Sequence, residues 1–251
     1  MLISVITVCL NASDYIEQTI TSVLWQTYPN LEYIIIDGGS DDGTVEVIRK
    51  YEAHLAYWHS KPDSGLAHAF NLGLAQARGE WILFLNADDY FSGPQVVESM
   101  IPQLTAHGDA EVIFGRVALA PRQQTVCPEA QALCGRDWQW RQFRFICTIP
   151  HQAAFTSRKY FERAGLFNEK LRIAMEYEHY LRAGADLRTV YVDKVISIMR
   201  RGGLSLNNVS LTLKEWRIAQ TINRSASYPL IWANYVSRLC WYHVKKVAGI
   251  K

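Results

Sequence analysis

Trp81-Ile82-Leu83-Phe84-Leu85-Asn86-Ala87-Asp88-Asp89 passes without a break from an apolar run into a polar turn. The apolar half reads as a buried strand. Along an extended backbone, alternation puts Asn86 and Asp88 on one side. Taken alone, the tetrapeptide Asn86 to Asp89 is an ordinary turn, where Asn and Asp are favoured. What lies upstream changes that reading. Ala67 to Ala77 has helical spacing, with Leu74 and Ala77 on the side of Phe70. Leu55 to Trp58 is a weaker strand, and Val45, Ile48 and Tyr51 mark another helix. Leu31 to Ile36 is a short apolar run ending at Asp37-Gly38-Gly39. Before it, Ile16, Ile20, Val23 and Leu24 follow Asp14 and Glu17, which offer an N-cap and an N3 acid. Ile3 to Val8 is the first strand.

Strands alternating with helices at this spacing predict a mostly parallel sheet covered on both faces. In such α/β sheets the ligand crevice lies outside the carboxyl ends of the strands. Asn11, Asp37, Asp63 and Asp88 follow the four strands in turn. One edge of the sheet therefore gathers polar, ligand-type groups.

Downstream the pattern is less regular. Glu111 to Ala120 reads as one or two strands. Residues 121–150 hold Pro121, Pro128, Pro150 and the Trp138/Trp140 pair, a long loop or an irregular helical excursion. Tyr160 to Ala164 and Glu176 to Ala183 are helical, Thr189 to Val192 a strand, and Arg201-Gly202-Gly203 a turn. From Leu211 onward the chain reads as helices. Near its end Trp232, Tyr235, Val236, Leu239, Cys240 and Val247 share one helical face, with Arg238, Lys245, Lys246 and Lys251 nearby. Such a helix can lie on an anionic membrane surface or pack on its own domain. Arg238 and His243 interrupt the run, so a membrane span is not expected.

The bulk properties narrow the function classes. At 251 residues, 49% hydrophobic and 20% charged, the chain fits one large domain or one domain with an appendage. A net charge of +2 gives no global electrostatic case for nucleic acid. The five cysteines include no C-x-x-C pair. Free thiols in a reducing cytosol are the simpler reading, although Cys127 and Cys134 could pair in an oxidising compartment. Met1 to Leu10 lacks the basic start of a signal peptide and is too short to span a bilayer. Neither G-x-G-x-x-G nor a P-loop occurs, so phosphate is handled another way. A divalent cation held by one or two carboxylates plus substrate phosphates is that way.

The blocks Ser4 to Asn11, Ser22 to Thr27, Ile36-Asp37-Gly38-Gly39-Ser40-Asp41-Asp42-Gly43-Thr44, Asp63-Ser64-Gly65, Asn71-Leu72-Gly73, Ala77 to Trp81 and Asn86-Ala87-Asp88-Asp89 resemble, in order, the opening of the family-2 glycosyltransferases. The resemblance covers residues 2–92 closely and 145–205 loosely. It implies a GT-A fold, Rossmann-like with a mostly parallel central sheet, and an inverting transfer. It carries base and donor binding onto Thr7, Asn11, Asp37 and Asp63. It carries the D-x-D role onto Asn86 and Asp88, with Mn²⁺ or Mg²⁺ on Asp88 and help from Asp89. One departure is Asn86, where the family has Asp; an amide carries no charge, so Asp88 must do more. The others are His68 and Phe70, where many relatives differ. Phe167-Asn168-Glu169 followed by Met175-Glu176-Tyr177-Glu178 and Leu181-Arg182 resembles the family's acidic motif. It puts Glu176 in the base position, with Glu178 as the fallback. His151-Gln152 is similar to a His-Gln pair of many relatives, and it and Arg201 are candidates for the acceptor or diphosphate side.

The resemblance therefore implies a metal-dependent enzyme with residues 1–205 as catalytic domain and 206–251 as a helical extension. Within the domain, 1–92 binds the nucleotide sugar and 93–205 faces the acceptor. The expected donor is a nucleotide sugar of the UDP type. The expected acceptor is a carbohydrate or lipid-linked hydroxyl in surface polysaccharide or lipopolysaccharide synthesis. The expected setting is cytoplasmic, with peripheral membrane contact through the last helix. Two alternatives remain in view: a nucleotidyltransferase, and a non-catalytic sugar-nucleotide or polysaccharide-binding module.

Overall fold

A computed structural model describes residues 1–121 and 133–248. Cys127 and Pro128 lie outside the described residues. In chain order the elements are β1 (Ile3–Cys9), α1 (Ile16–Leu24), β2 (Leu31–Asp37), α2 (Thr44–Arg49), β3 (Tyr57–Ser60), α3 (Leu66–Gln76) and β4 (Trp81–Phe84). There follow β5 (Asp89–Phe91), α4 (Val96–Ala106), β6 (Val112–Ala120), β7 (Leu133–Cys134), α5 (Trp140–Phe143) and β8 (Ala154–Ser157). The remainder is α6 (Arg158–Ala164), α7 (Met175–Leu181), β9 (Thr189–Arg200), α8 (Leu204–Asn207), α9 (Val209–Ile222) and α10 (Tyr228–Val247).

One mixed sheet runs β3-β2-β1-β4-β8-β6-β9-β5, with β7 on β6. Its first half is parallel: β1 pairs with β2 and β4, and β2 with β3. Its second half is mostly antiparallel, with β6 and β9 the parallel pair. Val5, Ile35 and Leu83 pack on one face toward α1 and α4. Ile6, Ile34 and Phe84 pack on the other toward α3 and α6. Apolar residues thus alternate between two buried faces, the arrangement of a central sheet. At Gly73 a Cβ would come within 2.4 Å of Ile6 Cγ2, so glycine is what lets α3 lie this close to β1.

Two expectations need correction. Asp14 does not cap α1; Tyr15 stands at the cap and no side chain bonds the helix end. Glu17 instead bridges to Lys50 at 3.5 Å and accepts from Tyr51. The strand expected over Thr189 to Val192 runs on to Arg200, because it gains partners on both sides, β6 and β5. The helices that follow β9 pack on the domain through α9. Ala219 is buried in the same apolar cluster as Tyr177 of α7 and Phe114 of β6.

Candidate active site

The carboxyl ends of β1 and β4, with the loop after β3, line a cleft of about 1150 Å³. The turns after β2 and β4 open on that same edge, with β1 between them. Asn11 enters the left-handed region at φ 51°, which Asn tolerates better than most residues. Its Oδ1 accepts from Asp41 N and its N–H donates to Ser40 Oγ, so the loops after β1 and β2 are tied together. Asp42 accepts from Thr44 at the start of α2, the role of a helix N-terminal acid.

Two candidates for donor binding are buried. Thr7 is fully buried inside β1 and accepts a hydrogen bond from Tyr33. Asp37 is also fully buried and does not line the cleft. Its carboxylate accepts from the N–H groups of Gly39 and Ser40 and from the hydroxyls of Ser40 and Ser60. Burial would raise this carboxyl, but the hydrogen bonds from Ser40 and Ser60 outweigh it and hold it below its usual range. Asp37 organises the turn from beneath. Asn11 and Asp63 face the cleft directly, Asp63 with Oδ1 anchored on Gly65 N at 2.7 Å.

His151 and Glu176 also line the cleft. His151 belongs to the short turn that follows Pro150 and leads into β8; Glu176 opens the first turn of α7. His151 Nδ1 lies 3.2 Å from Glu176 Oε1, and its Nε2 lies 3.1 Å from Asn86 Nδ2. Phe70 sits edge-on beneath the imidazole at 6.0 Å. Burial pushes the Glu176 carboxyl up to about 7, and pushes His151 down to about 4. A carboxyl poised near neutrality in a cleft is the kind of group that accepts a proton during catalysis.

Asp88 lines the cleft beside Asn86, and its backbone oxygen accepts from Arg200 at 2.6 Å. Asp89 begins β5 and is buried; neither carboxyl oxygen has a hydrogen-bond partner. Burial, and then the charge of Asp88, raise its pKa well above the usual carboxyl range. Arg201, a candidate by its sequence, is exposed and does not line the cleft. The neighbouring Arg200 does, sandwiched over the rings of Tyr15 at 5.1 Å and Tyr90 at 4.9 Å and bonded to Gln18. Adjacent strand residues point to opposite faces, and only the pairing of β9 with β5 and β6 tells which arginine faces inward.

Glu178, the fallback base, is held away from the cleft. Arg182 contacts both of its carboxylate oxygens and Asn223 donates to Oε1. Two residues missed in the sequence shape the site. Glu215 on α9 is buried and accepts from the N–H groups of Arg172, Ile173 and Ala174, the three residues before α7. No local pattern marks it, because its partners lie some forty positions away in sequence. Asn71 clamps Phe167 through both its backbone N–H and its carbonyl, and donates to Glu169. Its match to the family was visible; its role as the tie between α3 and the segment before α7 was not.

Comparison with known proteins gives a consistent picture. The sequence pattern of Glycosyl transferase family 2 matches residues 4–163. A protein named an uncharacterized glycosyltransferase from Mycobacterium tuberculosis (strain ATCC 25618 / H37Rv) is 34% identical over 188 residues, 72% of this chain and 68% of its own. Among solved structures, S. aureus TarS 1-349 in complex with UDP-GlcNAc superposes with a TM-score of 0.69 at 18% identity, covering 95% of this chain and 72% of that one. Of a longer TarS chain the present one spans 43%. The mannosyltransferase PcManGT from Pyrobaculum calidifontis, in complex with GDP-Man and Mn²⁺, gives 0.64 at 18% identity, covering 96% and 75%. The structural likeness shows the GT-A fold expected from the sequence. With the family pattern running from β1 into α6, and a relative sharing a third of the aligned residues, the chain belongs to Glycosyl transferase family 2.

Proposed function

We propose that the protein is an inverting glycosyltransferase that moves a sugar from a nucleoside-diphosphate sugar, of the UDP type, to an acceptor hydroxyl. The observation that carries this reading is Glu176: a buried carboxyl lining the same cleft as Asn86 and Asp88. Attack on an anomeric carbon requires the acceptor hydroxyl to lose its proton as the bond forms. A positioned carboxylate that takes this proton contributes about 10²–10⁴-fold. Glu176 receives it, and His151 beside it borders the acceptor. Asn11 and Asp63 meet the nucleotide, within a turn framework that Asp37 braces. TarS with bound UDP-GlcNAc shares the fold, which supports a uridine donor.

The turn after β4 fits a divalent cation. Asp88 faces the cleft, and the Asp89 carboxyl oxygens lack partners. Among the described residues no three acid, His or Cys groups gather, so the cation would complete its shell from donor phosphates and water. Bound there, it would offset negative charge on the departing diphosphate. The Mn²⁺ complex of PcManGT supports this choice of ion.

The setting is cytoplasmic, as the sequence-derived family reading implies; among the described residues Cys9, Cys134, Cys147 and Cys240 are free thiols, and Cys127 lies outside them. No helix among them is long and apolar enough to cross a membrane. The acceptor is a carbohydrate or lipid-linked hydroxyl of surface polysaccharide assembly, reached at the membrane surface through α10.

A panel of nucleotide sugars with Mn²⁺, scored for release of nucleoside diphosphate, tests the reading. One donor should turn over, and Glu176→Gln should lower kcat by at least about 10²-fold with donor binding retained. Release of pyrophosphate would indicate a nucleotidyltransferase instead. Thermal stabilisation by donors without turnover would indicate a binding module.

A further inference from the structure

Glu176 has two sets of neighbours in the cleft. One leads to the turn after β4: His151 lies 3.2 Å from the Glu176 carboxylate and 3.1 Å from Asn86. The other is α9, which holds the segment before α7. Glu215 accepts from the N–H groups of Arg172, Ile173 and Ala174 at 3.1, 2.8 and 2.9 Å. Leu211 lies one turn before Glu215 on the same helical face. The ring of Trp216 is 5.5 Å from that of Tyr177, the residue after Glu176. Leu211, Trp216 and Ile173 all line the cleft.

The core does not account for this apolar surface. Leu211 and Ile173 are half-buried and join none of the apolar clusters formed by the described residues. On α9 it is Leu213 and Ala219 that are buried. Trp216 is half-buried too, with the guanidinium of Arg238 from α10 over its ring at 5.7 Å. Apolar side chains left half in water beside a reacting carboxyl gain by meeting an apolar part of the substrate.

We propose that α9 supplies an acceptor subsite: Leu211, Trp216 and Ile173 seat an apolar aglycone, alkyl or aromatic, next to the hydroxyl that Glu176 deprotonates. This rests on the reading of Glu176 as the base. The acceptor is then an amphiphile that reacts at its polar end. The next helix agrees with this. Arg217 of α9 stacks on Trp232 of α10 at 4.2 Å, and α10 shows Trp241, Val244 and Val247 to solvent. With Lys245 and Lys246 among them, that face suits the kind of surface on which an amphiphile is carried.

Octyl, phenyl and methyl β-glucosides, below the micelle concentration, are the probes, and NMR titration of the full chain reads their Kd. The wild type should bind the octyl or the phenyl glucoside at least about tenfold more tightly than the methyl one, since each buried methylene is worth about a factor of four. Which of the two binds better tells a lipid chain from an aromatic group. In L211S and W216A the preference should fall below about threefold. L211S keeps the test readable if W216A does not fold, because Leu211 lies outside the core. Equal binding of all three probes by the wild type, or an undiminished preference in L211S and I173S, would overturn the proposal. So would a preference lost in V244S/V247S instead, which would put the apolar site on α10. A fully active E176Q would remove the base reading, whatever the probes do. No preference beside an inactive E176Q would remove this proposal alone.

Discussion

Glu176 and Glu178 stand two positions apart on α7 and have opposite fates. Glu178 is paired with Arg182 and Asn223, so its charge is met. Glu176 is buried without a cation against it and is pushed up to about 7. Its folded pKa therefore lies above its ordinary value of 4.5. The folded protein holds this proton more tightly than the unfolded chain, so stability falls as pH rises from about 4.5 to 7, then levels. The full cost is on the order of 3 kcal/mol. Glu176→Gln removes it: Tm should rise by about 5 °C at pH 8 and barely change at pH 4.5, read by thermal scans at both pH values. No gain at pH 8 would mean that the carboxylate is better solvated than its burial indicates. Asp88 offers a second test at this scale. Asp88→Asn should lower kcat/KM by roughly 10²-fold and raise the Mn²⁺ needed for half-maximal rate, since a cation on the diphosphate is worth several kcal/mol. Wild-type metal dependence in that variant would take Asp88 out of the metal site.

Elements hold these side chains through contacts made late in the chain. The three N–H groups before α7 are met by one carboxylate, Glu215 of α9. Glu215→Ala leaves them unmet in a half-buried setting, at a cost of roughly 1–3 kcal/mol. The urea midpoint should fall accordingly, and kcat should fall with it, because the loop that aims Glu176 is freed. Unchanged stability would show that water replaces the carboxylate. The same scale explains the misread elements. Periodicity marked β1, β2, α3 and β4 because each buries a regular apolar face. It missed β5, a three-residue strand that exists because β9 is there to pair with it. Asp14 had the right residue type for a cap, yet the chain starts α1 from the Ala12 carbonyl.

Across the whole molecule, charge is unevenly placed. Beyond Glu215 the sequence holds Arg217, Arg224, Arg238, Lys245, Lys246 and Lys251, and no Asp or Glu. On α10, Val236, Trp241, Val244 and Val247 are exposed, while Ile231 is buried and Trp232 meets Arg217 of α9. The helix thus packs on the domain along one side and shows an apolar, basic face on the other. That face fits an anionic lipid surface, where each basic residue contributes about 1 kcal/mol. The chain should float with vesicles containing anionic lipid and be released by salt. K245E/K246E should float at least tenfold less while keeping turnover of a soluble acceptor; equal flotation would exclude the electrostatic part. Local periodicity alone determined the parallel half of the sheet and the edge where its polar groups gather, while Glu176 became the base candidate only through a motif that resembles the family's. Only the tertiary structure decided that Asp37 and Thr7 are buried, that Arg200 and not Arg201 faces the cleft, and that Asn86, His151 and Glu176 meet. Burial and side-chain pairing between distant segments depend on how strands register and helices pack, and no single stretch of sequence encodes that.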